Sequence, residues 1–384
     1  MVQSTRRQMY HRYCDDLESG CRVRSYIQPF TKIEKMTTAK YKPPRMIQAR
    51  HVTFNIEYGK YIKPLEEQIT KVGRFKHNFG KGNYDEIAKR ITKLKRHYKY
   101  FTELDHDSFD AHVTMELLKL THTFYQSCYM HNKELRHLSK KTYFNNCISR
   151  EGDRYKVKAT RMSGDVDTSL GNSLINYAIL KELLHQLSIS GDVIVNGDDS
   201  IIFTNEPIDN KKALAILRKM NMETKLSNSS CDIHKIEFCR TKYVIRDDGT
   251  PTMMMNPQRI TEMYGMTNSN VDYMQYLIEV ATCNAYINSN TPYGIHWARA
   301  FNITIDKTKM PVFKVLDRSI IRLVERELSS PVSGTDITQS MYVAWHDLDK
   351  YITMIYKFIH FRIPKINFDI HINHDTKKLV VVKW

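Results

Sequence analysis

Little in the sequence indicates an extracellular or membrane-spanning protein. It has no apolar run of about 18 residues, the length that a transmembrane helix needs, and we therefore expect no membrane span. Residues 1–24 are basic and polar, without the apolar segment of a signal peptide. The seven cysteines are scattered and include no Cys-x-x-Cys pair, so we expect reduced thiols in a cytosolic setting. Cys231, His234 and Cys239 lie close together, but no fourth ligand follows at the spacing of a zinc site.

Acidic residues are in short supply. The 384 residues include 58 lysines and arginines against 42 aspartates and glutamates, which gives a formal charge of +16. Such a surplus favours a polyanionic partner, nucleic acid first and an anionic membrane surface second. A hydrophobic content of 41%, with only 14 glycines and 11 prolines, is typical of a globular chain. This length is enough for one large multi-lobed fold or for two to three domains.

Apolar periodicity and turn signals divide the chain into predicted elements. Helical spacing predicts helices at 84–98, 109–129, 168–187 and 210–220, and a strand is predicted at 101–105. The turn Asp247-Asp248-Gly249 and a shift in composition near residue 247 indicate the start of a C-terminal domain. That part is mixed and helix-leaning, with apolar stretches at 253–255 and 320–328 and a β-prone segment at 379–382.

Two adjacent aspartates, Asp198 and Asp199, follow Gly197 between two short apolar runs. Alternation before the turn and the apolar run after it predict a tight β-hairpin with both carboxylates at its tip. Such a tip can hold Mg²⁺, which proteins bind through one or two carboxylates together with substrate phosphates. Asp and Asn are also common in ordinary turns because they bond to their own backbone, so the function of this turn depends on its partners.

A second acidic group lies at the end of the strand predicted at 101–105. Asp105 ends the strand, and Asp110 lies at or near the start of the following helix. Next to the Asp198 turn, Asp105 would complete a two-carboxylate cradle for two Mg²⁺ ions, which can activate a hydroxyl and stabilise a leaving phosphate. The alternative is that these acids are turn and N-cap residues, which is common.

A loop and the helix after it present polar groups. Ser163-Gly164 predicts a flexible loop, and Thr168 and Asn172 share a helix face on which they can hydrogen-bond a sugar hydroxyl. The alternative is that Thr168 only begins the helix and Asn172 is solvated. Gly171 inside the helix costs about 1 kcal/mol relative to alanine, which suggests that another group approaches closely.

Basic residues flank two prolines near the N-terminus, in segments 30–35 and 42–50. Guanidinium and ammonium groups there can hold a triphosphate, since guanidinium binds phosphate in forked geometry. The alternative is a solvated basic loop.

Three of these patterns follow one another in a specific order: Asp-x4-Asp, then Ser-Gly-x3-Thr-x3-Asn, then Gly-Asp-Asp. Together they resemble motifs A, B and C of viral RNA-dependent RNA polymerases, in particular the tombusvirus-like replicases of positive-strand RNA viruses. Residues 30–66 are similar to motif F of that group's fingers and its continuation, and residues 235–240 resemble motif E. The resemblance covers about residues 29–245.

The resemblance implies an α+β fold shaped as a right hand, with a palm of antiparallel sheet plus helices, fingers and a helix-rich thumb. The implied boundaries are fingers at 1–98, palm at 99–114 with motif A, a fingers insert at 115–155, palm at 156–246 with motifs B to E, and thumb at 247–384. Related replicases have more fingers sequence ahead of the segment matched by residue 30. We therefore expect fingers that are incomplete at the N-terminus, as in a fragment, a read-through product or one half of a split polymerase.

The resemblance also implies the catalytic residues. Asp105 and Asp198 match the two metal-binding aspartates, with Asp199 as an auxiliary acid, and the implied cofactor is Mg²⁺, with Mn²⁺ as the alternative. Lys225 falls in the motif D region and would be the general acid that protonates pyrophosphate. Its register stays open because other lysines flank it.

The remaining implied residues bind the nucleotide. Asp110 and Asn172 match the pair that senses the 2′-hydroxyl, and a site built to bond a hydroxyl strongly rejects an analogue without it. Ser163 and Thr168 match positions that line the nucleotide and template. The basic set implied to contact the triphosphate or template is Lys32, Arg45 and Arg50.

The implied partners are an RNA template, the nascent strand and NTPs, together with a viral membrane-anchoring replication protein in the host cytoplasm. Two alternatives stay open. A reverse transcriptase shares the palm and an Asp-Asp hairpin, but it usually carries an aromatic or apolar residue where this chain has Asn196, and Met, Val or Ala at Gly197. A non-catalytic RNA-binding remnant of a polymerase would be free to lose the acidic residues, and all of them are present.

Overall fold

The computed structural model describes residues 2–32, 34–35, 44–316, 318–358, 368–373 and 378–383. The chain forms two compact units. The first comprises Met1–Ile245 with Pro251–Met253, and the second comprises Arg246–Thr250 with Met254–Trp384. The domain boundaries implied by the resemblance stay a prediction.

The helices of the first unit are α1 (Val2–Glu18), α2 (Val52–Gln68), α3 (Tyr84–Lys95), α4 (Phe109–His112), α5 (Met115–Cys128), α6 (Lys133–Lys140), α7 (Thr168–Gln186) and α8 (Asn210–Lys219). Its strands are β1 (Ile27–Thr31), β2 (Met46–Arg50), β3 (Tyr100–His106), β4 (Phe144–Ile148), β5 (Arg154–Lys158), β6 (Gly191–Asn196), β7 (Asp199–Thr204), β8 (Thr224–Leu226), β9 (Glu237–Phe238) and β10 (Thr241–Ile245), and β11 (Pro251–Met255) begins in this unit. The second unit contains α9 (Pro257–Glu262), α10 (Tyr273–Ile287), α11 (Pro292–Ala300), α12 (Arg318–Glu327), α13 (Gln339–Ala344), α14 (Leu348–Phe358), β12 (Phe368–Asn373) and β13 (Lys378–Lys383).

One four-stranded sheet, in the order β6-β7-β3-β8, carries the predicted acidic residues. Strands β6 and β7 form the predicted hairpin, with Asn196 opposite Asp199. Strand β3 runs antiparallel to β7, and β8 pairs with the other edge of β3. The turn between β6 and β7 and the end of β3 therefore lie at the same end of this sheet.

A second sheet, in the order β2-β1-β4-β5, carries the predicted basic segment. Strands β1 and β2 pair antiparallel, with Thr31 opposite Met46, so residues 32–45 connect them. Strand β4 runs parallel to β1 and forms a hairpin with β5. A third sheet has the order β11-β10-β9, and β12 pairs with β13.

Helix α7 is the centre of the main hydrophobic core. Most of its residues are buried, as expected for a helix that the fold surrounds. Its buried apolar residues are Leu170, Leu174, Ile175, Ile179, Leu180, Leu183 and Leu184. They pack with Val193 and Val195 of β6 and Ile202 of β7. Each such side chain stabilises the fold by about 1.5–3 kcal/mol, so α7 is firmly fixed against the hairpin.

The mixed α/β composition with antiparallel sheets confirms the coarse fold class. The helices predicted at 168–187 and 210–220 are confirmed within one residue at their C-terminal ends. The helix predicted at 84–98 ends earlier, at Lys95, and begins at a capping box formed by Asn83 and Glu86. Residues 253–255 lie in β11, 320–328 fall largely in α12 and 379–382 lie in β13. No helix in the described part of the chain combines the length and hydropathy needed to cross a membrane.

The single helix predicted at 109–129 is wrong. Val113 adopts an extended conformation (φ −71°, ψ 109°) and separates α4 from α5. Thr114 then caps α5 by accepting a hydrogen bond from the backbone N–H of Leu117. A threonine cap inside an apolar periodic pattern is a local bond that outweighs the periodicity.

Helix α5 contains a buried histidine that makes stability depend on pH. Burial, the largest cause, lowers the pKa of His122 from 6.5 to about 4. As the pH falls, His122 is protonated in the unfolded chain before it is protonated in the folded chain. The contribution of neutral His122 to the free energy of unfolding is therefore complete above about pH 6.5 and is lost as the pH falls toward 4. We expect a loss of roughly 3 kcal/mol across this window.

Hydrogen exchange of the α5 amides between pH 7 and pH 4.5, corrected for intrinsic rates, measures this loss. Glutamine at position 122 keeps a polar group for Tyr143, whose hydroxyl lies 3.1 Å from His122 Nδ1, but does not titrate. His122→Gln is expected to flatten the pH dependence. An equal slope in the wild type and the variant would contradict this assignment.

Candidate active site

The three predicted acids lie together at one end of the β6-β7-β3-β8 sheet. Gly197 has φ +66°, a backbone conformation that glycine adopts readily, and it directs the chain into Asp198 and Asp199. Leu104 pairs with Ser200, so the next residues along these antiparallel strands, Asp105 and Asp199, are neighbours. We call Asp105, Asp198 and Asp199 the acidic edge. All three side chains are solvent-exposed.

Like charges crowd the acidic edge. Although the surface of Asp199 is exposed, desolvation by the surrounding protein, followed by the charge of Asp198, raises the pKa of its carboxyl to about 6. Asp105 adds to this increase, while Cys239 and Arg240 oppose it. A divalent cation would relieve such crowding.

The donor set fits Mg²⁺ shared with a substrate. Within the described ranges, no group of three or more His, Cys, Asp and Glu side chains forms a complete metal site. Mg²⁺ rarely uses such a cage. It usually keeps several waters and takes one or two carboxylates together with substrate phosphates. Carboxylates from two adjacent strands at an exposed sheet end meet that requirement.

Helix α7 holds the backbone of the Gly197-Asp198 turn. Ser173 Oγ accepts a hydrogen bond from Gly197 N at 2.8 Å. Asn176 Nδ2 donates to the carbonyl oxygens of Gly197 at 3.1 Å and Asp198 at 2.9 Å. Sequence reasoning missed both residues. The available signal was two polar side chains, three residues apart and therefore on one helix face, beside the apolar Leu174 and Ile175.

The same asparagine connects the turn to β3 and β8. Asn176 Oδ1 lies 3.1 Å from His106 Nε2, and His106 Nδ1 lies 2.8 Å from Thr224 Oγ1. Burial lowers the pKa of His106, so the ring is neutral and donates from Nε2 to the amide oxygen. We call Asn176, His106 and Thr224 the turn relay. It joins the helix, the turn and the strands that flank Asp105.

The structure places Lys225 on β8, directly opposite Asp105 on β3. Directly opposite residues of antiparallel strands point to the same face of a sheet. Lys225 is exposed, next to Thr224 of the turn relay. Its position relative to the acidic edge, which the sequence left open, is therefore defined. Its role as a general acid stays a prediction.

Asp110 and Asn172, the predicted sugar-sensing pair, are in direct contact. Asn172 Nδ2 donates to Asp110 Oδ1 at 2.7 Å. Asn172 is buried, so the alternative of a solvated side chain is wrong. Burial is the main cause that raises the pKa of Asp110, and the charge of Asp198 contributes to the increase. The pair therefore lies within electrostatic range of the acidic edge.

A buried arginine that sequence reasoning missed contacts this pair. Arg161 Nε donates to Asn172 Oδ1 at 3.1 Å, and its Nη1 donates to Asp167 Oδ2 at 2.7 Å. Gly171 makes room for it, since a Cβ at that position would overlap the guanidinium group. The close approach that Gly171 suggested is therefore confirmed.

The Ser163-Gly164 loop is bonded to strand β2. Ser163 Oγ accepts from Gln48 N at 3.0 Å, and Gly164 N donates to Gln48 O at 3.0 Å. A Cβ at Gly164 would lie 2.6 Å from Gln48 O, so only glycine fits there without a shift. Thr168 Oγ1 donates to Asp165 O at 2.8 Å and closes the loop. Contacts of Ser163 and Thr168 with a nucleotide stay predictions.

Arg50 was expected to contact the triphosphate or template, but the structure places its side chain in a buried ion pair. Its guanidinium is buried and forms a two-pronged ion pair with Asp165, with Nε–Oδ1 at 2.5 Å and Nη2–Oδ2 at 2.9 Å. Nη1 donates to Ser25 O and Nη2 also donates to Asn145 Oδ1. All three nitrogens are engaged, so Arg50 anchors the Ser163-Gly164 loop. A triphosphate contact would require this pair to open.

Lys32 and Arg45 share one carboxylate. Lys32 Nζ lies 2.8 Å from Glu34 Oε1, and Arg45 Nε donates to Glu34 Oε2 at 2.7 Å. The bond from Arg45, and then that from Lys32, lowers the pKa of Glu34 to about 2. Both cations are exposed, and the charge of Asp198 acts on Arg45. Lys42 of the predicted basic segment lies outside the described residues.

The turn between β9 and β10 reaches the acidic edge. Cys239 and Arg240 both have positive φ, at +52° and +62°. Asn196 Nδ2 donates to Cys239 Sγ at 3.4 Å. Burial, and then the charge of Asp199, raises the pKa of this thiol, so it stays protonated. The segment that resembles motif E therefore lies against the end of the β6–β7 hairpin.

A protein-family model described as viral RNA dependent RNA polymerase matches residues 1–339. The RNA-directed RNA polymerase of Panicum mosaic virus is 31% identical over 261 residues, covering 62% of this chain and 26% of the relative. That of tobacco necrosis virus is 29% identical, covering 74% and 41%, and that of melon necrotic spot virus is 30% identical, covering 66% and 34%. The chain thus spans only about a quarter to two fifths of the length of these relatives.

Proposed function

Because the chain belongs to the viral RNA-dependent RNA polymerase family, we propose that it synthesises RNA from NTPs on a positive-strand viral RNA template. The observation that carries this proposal is the acidic edge, where Asp105 and Asp199 lie side by side on adjacent strands. The contact between Asp110 and Asn172 next to it, at 2.7 Å, supports selection of a ribose. The charge of +16 supports binding of the RNA template and nascent strand.

In the proposed reaction the 3′-hydroxyl of the growing strand attacks the α-phosphate of an NTP and releases pyrophosphate. Asp105 and Asp198 would hold Mg²⁺, or Mn²⁺, with Asp199 as an auxiliary acid. When bound, two such ions activate the hydroxyl and stabilise the leaving oxygen. Lys225 would deliver the proton to pyrophosphate. Lys32 and Arg45 would bind the triphosphate, since positioning and charge stabilisation dominate phosphoryl transfer.

The proposed architecture is a right hand. The sheet with the acidic edge, helix α7 and the β9–β10 turn would form the palm, and the β2-β1-β4-β5 sheet would belong to the fingers. The helices after residue 246 would form the thumb. A viral membrane-anchoring replication protein is the proposed partner, at replication complexes in the host cytoplasm.

A reverse transcriptase and a non-catalytic RNA-binding remnant are the alternatives. Asn196 and Gly197 occupy positions where a reverse transcriptase usually has apolar residues, and the complete acidic edge argues against a remnant. The test is incorporation of ATP against dATP on a poly(U) template with an oligo(A) primer. We expect ATP alone to be used efficiently. Preferred use of dATP would support the reverse transcriptase, and incorporation of neither would support the remnant.

Neutralising Glu34 is expected to strengthen NTP binding. Glu34 forms ion pairs with Lys32 and Arg45, the two cations proposed to bind the triphosphate. Glu34→Gln removes the negative charge and so frees both cations for the substrate. Exposed ion pairs contribute about 0.2–1 kcal/mol each, and we expect KM for NTP to fall roughly two- to fivefold. Glu57→Gln is the matched control, since it breaks the exposed pair with Lys60. An unchanged or higher KM in Glu34→Gln would refute the competition.

A further inference from the structure

Arg161 brackets both members of the Asp110–Asn172 pair. Its backbone N–H donates to the carbonyl oxygen of Asp110 at 2.9 Å, and its side-chain Nε donates to Asn172 Oδ1 at 3.1 Å. The side chain is buried and its charge is balanced by Asp167 at 2.7 Å. One residue therefore fixes the backbone of the acid and the side chain of the amide.

The bond from Arg161 and the carboxylate of Asp110 together fix which end of the Asn172 amide faces Asp110. An amide presents an acceptor at one end and two donors at the other. Since Arg161 has only donors, it takes the amide oxygen and leaves the NH₂ group for Asp110. Without Arg161 the buried amide oxygen has no donor and Asp110 alone holds the amide, so the side chain can leave the observed orientation.

In the observed orientation the pair is complementary to a hydroxyl group. Asp110 Oδ1 is taken by Asn172, while Oδ2 has no hydrogen-bond partner within the described ranges. Within the same ranges, the second N–H of Asn172 has no acceptor beyond Asp110. The pair thus offers one acceptor and one donor, and a hydroxyl can use both. A rotated amide would offer two acceptors instead.

We propose that Arg161 is a positioning residue for ribose selection, acting through the orientation of Asn172. The inference rests on the proposed function and extends it to a residue outside the three motifs. Gly171 belongs to the same device, because only its missing Cβ leaves room for the guanidinium group. Arginine is required, since its fork reaches Asp167 and Asn172 together, whereas the ammonium of lysine is a single point charge.

The test is the ratio of kcat/KM for ATP over dATP on a primed poly(U) template. Arg161→Lys keeps the charge beside Asp167 but loses the bond to Asn172. We expect the ratio to fall roughly 10- to 100-fold, mainly through poorer use of ATP, because a buried polar group loses its partner. Tyr125→Phe is the matched control: it removes a 3.2 Å bond to Asp167 and leaves Asn172 untouched, so its ratio should match the wild type.

A double mutant separates positioning from general destabilisation. In an Asn172→Ala background, Arg161→Lys is expected to leave the ratio unchanged, because the group through which it acts is gone. Equal ratios in Arg161→Lys and the wild type would overturn the inference, as would an undiminished effect of Arg161→Lys without Asn172. If Arg161→Lys does not fold, Gly171→Ala displaces the guanidinium instead and must lower the ratio.

Failure of the proposed function has a different signature. If the wild-type chain makes no RNA, the proposed function is overturned. The inference is then tested by measuring the affinities of ATP and dATP for the chain bound to primed poly(U). Weaker ATP binding in Arg161→Lys with unchanged dATP binding supports it. Equal ATP and dATP affinities in the wild type overturn it.

Discussion

Asp198→Ala is expected to reduce nucleotide incorporation by at least about 10³-fold, which corresponds to about 4 kcal/mol of transition-state stabilisation. Asp105→Ala should have an effect of the same size, since the two carboxylates lie at one end of the same sheet. Asp199→Ala is expected to reduce incorporation less, roughly 10- to 100-fold, because its carboxyl is proposed only as an auxiliary acid. Primer extension with Mg²⁺ on a homopolymeric RNA template measures all three.

Asp107→Ala is the control for this series. Asp107 is an exposed acid two residues from Asp105, and its carboxylate accepts a hydrogen bond from the hydroxyl of Ser108. Its removal changes the net charge equally without touching the acidic edge. We expect near-wild-type synthesis. Retained synthesis in Asp198→Ala or Asp105→Ala would exclude those residues as metal ligands.

Asn176→Ala is expected to damage both stability and catalysis. It breaks two hydrogen bonds to the Gly197-Asp198 backbone and one to His106. Each buried group left without a hydrogen-bond partner costs about 1–3 kcal/mol, so we expect the free energy of unfolding of the first unit to fall by roughly 3 kcal/mol or more. A turn that shifts by about 1 Å can lose 10²-fold in rate, and we expect kcat to fall by that order with little change in KM.

Asn78→Ala is the matched comparison, because Asn78 is also a buried amide that bonds strand β6. Its Nδ2 donates to Val193 O at 2.7 Å and to Asp192 Oδ1 at 2.8 Å, at the end of the strand far from the turn. We expect a similar loss of stability but a much smaller loss of kcat. If the two variants lose kcat equally, the turn relay has no specific role in positioning Asp198.

Much of the candidate site could be predicted from the order of the motifs and from local sequence patterns. Turn signals and apolar periodicity involve residues that are close in sequence. They therefore predicted the β6–β7 hairpin, the helix at 168–187 and the strand that ends near Asp105. The resemblance paired Asp110 with Asn172, and the structure shows that the two are in contact. Gly171 even indicated a close neighbour, although the sequence did not say which residue it was.

The contacts that organise the site depend on residues far apart in sequence. Asn176 meets His106 across 70 positions, and Arg50 meets Asp165 across 115. Such pairs depend on how helices and strands pack, which periodicity does not encode. Sequence patterns therefore did not indicate that Arg50, which was expected to contact a phosphate, would form a buried ion pair with Asp165. The break at Val113 has the opposite cause, a local threonine cap inside an apolar pattern.

The most direct measurement is RNA synthesis by the purified wild-type chain on a heteropolymeric RNA template, with and without a primer, followed by sequencing of the product. We expect a metal-dependent RNA product that is complementary to the template, made from NTPs and absent from Asp198→Ala. Untemplated addition, a DNA product, or synthesis that survives the loss of Asp198 would contradict this expectation.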